Sequence, residues 1–342
     1  MYQQNFQKIY FRENFHMEST ILNIDSDNEL PPRSNYKNDY QEKWESRSSV
    51  RTRPRKIIDF NQKGYFFPED KQLLFLEEEV IKLGAEIKEK ILLQSFYKYL
   101  NDIVNLEIKL INSVCNKIIY EDLAVKYNDE IKLNAHTIII DEYYHVYVAQ
   151  DMMLQLKYQY PDIQRFNYPV SDSYNAVMVV KEKLDSKYHD IFKIIAVCIF
   201  ETTLVRELIE FFNSENVHPS IKCYVNDHMN DEAKHYGFFF DLLCYTWNGI
   251  PKDFRLAIGT VLGEFIKLYL NINSEKIFNK NLLSDLMQDK ERAARIVENI
   301  YKGFEINPEI PIVKNVLSVL QKSRLIDHPC VKISLQNVGL SP

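Results

Sequence analysis

The sequence predicts an all-α protein built around a four-helix bundle. Only 8 of its 342 residues are glycine and 46% are hydrophobic, which favours helices over a loop-rich fold. From Glu69 to about residue 324, apolar residues recur at intervals of three and four, as they do on the buried face of a helix. Breaks rich in Pro, Asn, Asp and Gly separate these periodic segments. We therefore expect a series of packed helices.

The chain divides into three parts by pattern. Residues 1–55 are polar and lack sustained periodicity, so we expect a flexible or loosely docked N-terminal arm. The first periodic residues, between Leu73 and Ile91, predict that helix begins near Glu69 and that one domain covers 56–325. Residues 326–342 are expected to form a C-terminal tail.

Within the domain, four helices are expected to form two antiparallel hairpins. They lie at about 92–127, 131–158, 176–213 and 219–247. Residues 160–175, with two prolines, predict a long crossover between the hairpins, which is the ferritin-like arrangement of a four-helix bundle. Further helices are expected near 252–272, 282–304 and 311–324.

A five-residue motif, Asp-Glu-x-x-His, occurs at 141–145 and again at 231–235. Positions i and i+3 share one helical face, so the Glu and His of each copy can bind the same ion, and His228 lies on the face of the second copy. One helix before each copy is a further glutamate, at a similar level if the helix rises by about 1.5 Å per residue. The predicted metal ligands are Glu107, Glu142, His145, Glu201, His228, Glu232 and His235.

Glu201 is the most informative carboxylate, because IIAVCIFETTLV (194–205) contains no other charged residue. Burying it costs several kcal/mol unless it is paired or bound to a metal, although a neutral Glu or an ion pair with Arg206 would also fit. Four carboxylates and three imidazoles suit two iron ions, with manganese as the alternative, better than zinc. Asp141 and Asp231 are each expected to accept the free ring N–H of a ligand His on the facing helix.

Charge and targeting signals exclude several other classes. A net charge of −6 and a pI near 5.8 argue against a nucleic-acid or anionic-membrane partner. The N-terminus has no apolar signal-peptide region, and the longest apolar run, 194–200, is far shorter than the ~20 residues of a membrane span. Five scattered cysteines fit a reducing compartment, so we expect a cytoplasmic protein.

The order E, D-E-x-x-H, E, H-x-x-D-E-x-x-H resembles the p-aminobenzoate N-oxygenase (AurF-like) family of non-haem diiron oxygenases over about 60–305. The resemblance implies that Glu142 and Glu232 bind both irons. It further implies that Glu107 and His145 bind one iron, and that Glu201, His228 and His235 bind the other. Members of this family use O2 to oxidise arylamines in specialised metabolism, so an amine substrate, an external electron donor and a homodimer are expectations that follow.

Residues about one turn from the ligands are expected to form an apolar substrate wall; they are Ile103, Val104, Ile138, Val197, Cys198, Leu204 and Val205. Tyr99 could donate a hydrogen bond to the substrate, and Glu207 could bind an amino group. A carboxylated arylamine would need a cation, for which the candidates are Arg206, Arg292 and Arg295.

Three alternative functions remain open from the sequence. The same site could support C-hydroxylation, desaturation or oxidative cleavage of a non-aromatic substrate, because the pocket determines which atom is attacked. A ferritin-like iron-handling protein is a second alternative, and a purely structural helical protein is the third.

Overall fold

The computed structural model describes residues 39–163, 165–203, 212 and 214–341. Within these ranges the regular structure is helical, apart from one isolated parallel bridge between Tyr65 and Val217. The all-α prediction is confirmed. The α-helices are α1 Asp39–Arg47, α2 Ser49–Thr52, α3 Glu78–Ile81, α4 Ala85–Leu106, α5 Asn112–Tyr120, α6 Asp129–Gln159, α7 Asp172–Lys181, α8 His189–Glu201, α9 Pro219–Gly249, α10 Lys252–Tyr269, α11 Asn273–Met287, α12 Lys290–Tyr301, α13 Pro311–Lys322 and α14 Pro329–Asn337.

Four helical segments form the ferritin-like bundle. The first is α4 continued through a π turn, Glu107–Ile111, into α5; the others are α6, α8 and α9. The first segment packs on α6, α8 packs on α9, and the two pairs meet through α6 with α9 and α5 with α8. No helix in the described ranges is long and apolar enough to cross a lipid bilayer.

The bounds of α6 and α9 agree closely with the predicted helices because both have clear start signals. The Asn128 side chain accepts the N–H of Ile131 at 2.8 Å, which caps α6. Pro219 occupies the first turn of α9, where its missing N–H costs nothing.

Three predicted helices are wrong in extent. The described part of the helix expected over 176–213 forms two helices, α7 and α8, because the chain becomes extended at Asp185 (ψ 145°) before α8 starts. Residues 204–211 and 213 of that prediction lie outside the described residues. The segment from Glu69 forms 3-10 turns and the short α3, and α4 begins only after Gly84, whose φ of +93° breaks the helix. The helix expected over 282–304 is likewise divided at Gln288, which has φ +54°.

Both segments that flank the predicted domain contain helices in the described residues. The described part of the predicted arm, 39–55, forms α1 and α2, which contact α6 and α9. The predicted tail 326–342 contains α14, a helix packed on α10. Gly263 allows this close approach, since a Cβ there would lie 2.2 Å from the Ser334 carbonyl oxygen. The division of the chain at residues 55 and 325 stays a prediction.

Gly263→Ala should therefore destabilise the fold. Its methyl group would force α10 and α14 apart, at a cost of about 1–3 kcal/mol, the range typical of overpacking. Gly237→Ala is the matched control, because a Cβ at this helical position meets nothing within 4 Å. Denaturant unfolding should show a lower midpoint for Gly263→Ala and an equal or higher one for Gly237→Ala; equal stability of the first variant would contradict the contact.

Candidate metal centre

The seven predicted ligands lie together inside the bundle, with one to three contributed by each helical segment. Glu107 opens the π turn, Glu142 and His145 lie on α6, and Glu201 is the last residue of α8. The remaining three lie on α9. All seven are buried, the most exposed being Glu232 at 7%.

The side chains form two groups, and the potential ligand atoms of each lie within 4.8 Å of one another. The first group is Glu107, His145, His228 and Glu232. The second is Glu142, Glu201, Glu232 and His235. Glu232 belongs to both. Its Oε1 is 3.2 Å from His228 Nε2, and its Oε2 is 3.3 Å from His235 Nδ1.

His228 lies in a different group from the one expected. The resemblance implied that it shares an ion with Glu201 and His235, but its Nε2 lies 3.4 Å from Glu107 Oε1, and its ring stacks on that of His145 with centroids 4.1 Å apart. The expected partnership is therefore wrong. Spacing along α9 placed His228 on the correct face without showing which ion it is closest to.

The π turn presents Glu107 to the cluster. The backbone N–H of Asn112 bonds to the carbonyl of Glu107, five residues earlier, in place of the four-residue step of an α-helix. Such one-turn insertions alter the direction of the side chains around them and are frequent at functional sites. Leu110 and Ile111 of the same turn remain in the core.

The glutamates of the cluster repel one another. Burial and then Glu142 raise the pKa of Glu107 well above its ordinary value. Burial and then Glu232 do the same to the pKa of Glu201. Two divalent cations would balance four ionised carboxylates, and bound metal is the usual reason for such a buried concentration of acids.

Unpartnered atoms in the cluster fit metal ions. Within the part of the chain that the structure describes, Glu107 Oε2, Glu142 Oε1 and Glu201 Oε2 are buried and have no hydrogen-bond partner. Buried polar atoms without a partner cost about 1–3 kcal/mol each unless another ligand satisfies them. Hard carboxylate oxygens together with imidazole nitrogens suit iron or manganese. The residues present therefore fit a pair of such ions.

Asp141 and Asp231 each contact a cluster histidine on the facing helix. Asp231 Oδ2 on α9 is 3.2 Å from Nε2 of His145 on α6, and Asp141 Oδ2 on α6 is 3.3 Å from Nε2 of His235 on α9. With Nε2–H donating to these carboxylates, each ring directs Nδ1 toward the cluster. This arrangement favours the tautomer that would leave Nδ1 free to bind metal.

The predicted substrate wall is partly described. Ile103, Ile138, Val197 and Cys198 are buried, and Val104 is half-buried against the core. Leu204, Val205, Arg206 and Glu207 lie outside the described residues. Arg292 and Arg295 are not at the site: their side chains are 43% and 63% exposed, and both face Glu79. Neither can be the buried cation that a carboxylated substrate would need.

Two tyrosines with buried hydroxyl groups lie next to the first group of ligands; Tyr224 is buried as a whole, and Tyr99 is half-buried. Tyr99 was predicted, and Tyr224, one turn before His228 on α9, was missed. Among the described residues, neither hydroxyl has a hydrogen-bond partner. Burial and then Glu107 raise the pKa of Tyr99, while burial, Tyr99 and Glu107 raise the pKa of Tyr224. The i to i+4 spacing of Tyr224 and His228 is a signal that could have identified it.

Removing metal should lower the thermal stability. A ligand present at 100 times its Kd stabilises the folded state by about 2.7 kcal/mol. In a domain of this size that corresponds to a rise in the unfolding temperature of roughly 5 °C. Anaerobic thermal unfolding with Fe²⁺ and with a chelator should show this difference, whereas Mg²⁺ should stabilise much less because it prefers oxygen ligands and water. Equal unfolding temperatures with Fe²⁺ and chelator would contradict the metal assignment.

A family model described as P-aminobenzoate N-oxygenase AurF matches residues 35–299, a range that includes all seven cluster residues and both aspartates. No curated protein matches the chain.

Proposed function

Because this chain belongs to the p-aminobenzoate N-oxygenase AurF family, we propose that it is a diiron enzyme that uses O2 to oxidise the nitrogen of a small arylamine. The observation that carries the proposal is the pair of buried His and Glu groups joined by Glu232. A site for one structural metal would not need two groups with a shared carboxylate. An iron-storage site would not require the two tyrosine hydroxyls that are buried beside it.

The first group, Glu107, His145 and His228, would hold one iron, and Glu142, Glu201 and His235 the other. Glu232 would bind both. Glu142, which was also expected to bind both, has Oε2 3.4 Å from His145 Nδ1 and Oε1 3.1 Å from His235 Nδ1, so that expectation stays a prediction. Two ferrous ions, when bound, supply the two electrons with which an amine, O2 and two protons give a hydroxylamine and water.

The protein would orient the metal ligands, balance the charge of the ions and exclude water from the cluster. Asp141 and Asp231 hold the rings of His235 and His145 so that each presents Nδ1. The apolar residues Ile103, Ile138 and Val197 exclude water from the cluster, which protects a reactive centre from side reactions.

Tyr99 and Tyr224 are the polar groups proposed to contact the substrate. Their raised pKa values keep both hydroxyls protonated at neutral pH, so each can donate a hydrogen bond. The Tyr99 ring also lies 4.8 Å from that of Phe212, which forms an aromatic surface for stacking.

A single-turnover experiment tests the proposal. The full chain, loaded with Fe²⁺ without oxygen, is mixed with ¹⁸O2 and p-aminobenzoate, aniline or a linear aliphatic amine, and the products are analysed by mass spectrometry. We expect ¹⁸O bonded to nitrogen with at least one aromatic amine, and none with Glu201→Ala. Oxygen bonded to carbon, or loss of two hydrogens, would instead support the C-oxidation alternative. O2 consumption with ferric oxide as the sole product would support iron handling.

A further inference from the structure

Two consecutive serines from outside the bundle contact the two aspartates that orient the ligand histidines. The Ser48 hydroxyl donates to Asp141 Oδ1. The Ser49 backbone N–H lies 3.1 Å from Asp231 Oδ1. Both serines are buried, at 0% and 3% exposure. One short segment therefore reaches both sides of the metal cluster, 93 and 182 residues away along the chain.

The Ser48 hydroxyl is used differently from that of most serines at its position. Ser48 precedes the first residue of α2, where a serine side chain ordinarily caps the helix by accepting a backbone N–H. Here the side chain makes no capping hydrogen bond. It donates to Asp141 instead, and that carboxylate in turn accepts the ring N–H of His235.

The segment is held in place by other contacts as well. The Arg55 guanidinium binds the Asp151 carboxylate at 2.7 and 2.9 Å, and the Lys56 ammonium binds Asp227. The side-chain amide of Gln155 donates to the Lys56 carbonyl and accepts from the Ile58 N–H, which holds the backbone just after the serines. These contacts to α6 and α9 should keep the segment docked when either serine contact is removed.

We propose that Ser48 and Ser49 are positioning residues for the metal pair, each acting through one aspartate on one ion. Ser48 holds Asp141, which orients His235 of the second group. Ser49 holds Asp231, which orients His145 of the first group. This inference rests on the proposed diiron site and assigns it a support from residues outside the bundle.

The two contacts differ in how much other support the aspartates have. Asp231 also accepts a hydrogen bond from Lys234 Nζ at 2.6 Å. For Asp141, the described contacts are the Ser48 hydroxyl and the His235 ring. Loss of the Ser48 contact should therefore have the larger effect.

The experiment uses the full chain and measures Fe²⁺ affinity anaerobically by chelator competition. Ser48→Ala removes one hydroxyl, and Ser48→Thr keeps it. Ser49→Pro removes the backbone N–H that contacts Asp231. Proline is tolerated at this first position of a helix, and the ψ of 135° at Ser48 is compatible with a following proline. Ser49→Ala keeps that N–H and loses only the bond from the Ser49 hydroxyl to the Asp227 carbonyl. Ser46→Ala, at an exposed position of the same segment, is the general control.

Ser48→Ala should lower the affinity for the ion beside His235 by about threefold to tenfold. This is less than the ~10–100-fold loss of affinity that is typical when the carboxylate itself is removed. Ser48→Thr should restore the affinity. Ser49→Pro should lower the affinity for the ion beside His145 by a smaller factor. Ser49→Ala and Ser46→Ala should leave the affinities for both ions unchanged. In the wild-type protein the chelator should remove the two ions in two steps. The His228→Ala variant should lack one of these steps, which identifies the ion that each step reports.

The inference would be overturned if Ser48→Ala and Ser49→Pro left both affinities unchanged. It would also be overturned if each variant lowered the affinities for both ions equally. Equal weakening would mean that the serines affect only the overall stability of the fold. Because affinity is measured without substrate, a wild-type protein that binds two ions but oxidises no amine would overturn the proposed function alone. The serine variants would still decide the positioning role.

Discussion

Replacing Glu232 with alanine is expected to remove both metal ions. Its carboxylate belongs to both groups of candidate ligands. Oε1 lies 3.5 Å from His145 Nδ1 and 3.2 Å from His228 Nε2, while Oε2 lies 3.3 Å from His235 Nδ1. Each ion would lose a charged ligand, and the remaining three glutamates would lose the cations that separate them.

The affinity for each ion should fall by more than the ~10–100-fold seen when only an outer partner of a ligand is lost. Metal analysis after Fe²⁺ loading and desalting should find almost no iron in Glu232→Ala. The matched control is Asp241→Ala, which removes an exposed carboxylate from the same helix and should retain two ions. Retention of one tightly bound ion by Glu232→Ala would show that this carboxylate serves one ion only.

His228→Ala should remove one ion and leave the other. The imidazole lies with Glu107 and His145, so the ion of the first group loses a neutral ligand while Glu142, Glu201 and His235 keep theirs. The stacked contact with His145 is lost as well, which loosens a second ligand of the same ion. The stoichiometry should fall from two irons to one.

Mössbauer spectra of the protein loaded with ⁵⁷Fe²⁺ would show this as loss of one of two ferrous signals. The Glu201→Ala variant should lose the other signal, so the two variants identify the ions independently. His136→Ala is the control, because that ring packs on Tyr120 outside the cluster. If His228→Ala and Glu201→Ala removed the same signal, the grouping seen in the structure would be incorrect.

The cluster could be predicted because its spacing is local. A Glu and a His three residues apart on one helix share a face whatever the rest of the chain does. The extents of α6 and α9 followed for the same reason, since their start signals lie within the adjacent turn. The partners of His228 depend instead on how α9 is shifted along its axis relative to Glu107, and periodicity within one helix carries no information about that shift.

Contacts between distant segments could likewise not be predicted from the sequence. Ser48 and Ser49 lie in a polar stretch without periodicity, so nothing local distinguishes them from the exposed Ser46. The break between α7 and α8 lies in the polar stretch KEKLDSKYHD (181–190), whose charged residues would also fit the exposed face of a continuous helix. Helix α14 is stabilised by its contact with Gly263 of α10, and a short polar C-terminal sequence does not predict such a partner.

The π turn at Glu107 affects how the set of metal ligands could change during evolution. It contains one backbone step more than a regular α-helix would need between Glu107 and Asn112. Deleting one residue in this turn would restore the regular pairing and rotate the two sides of the helix relative to each other by about 100°. A ligand could thus be gained or lost through a single codon deletion, with no substitution at any of the seven positions.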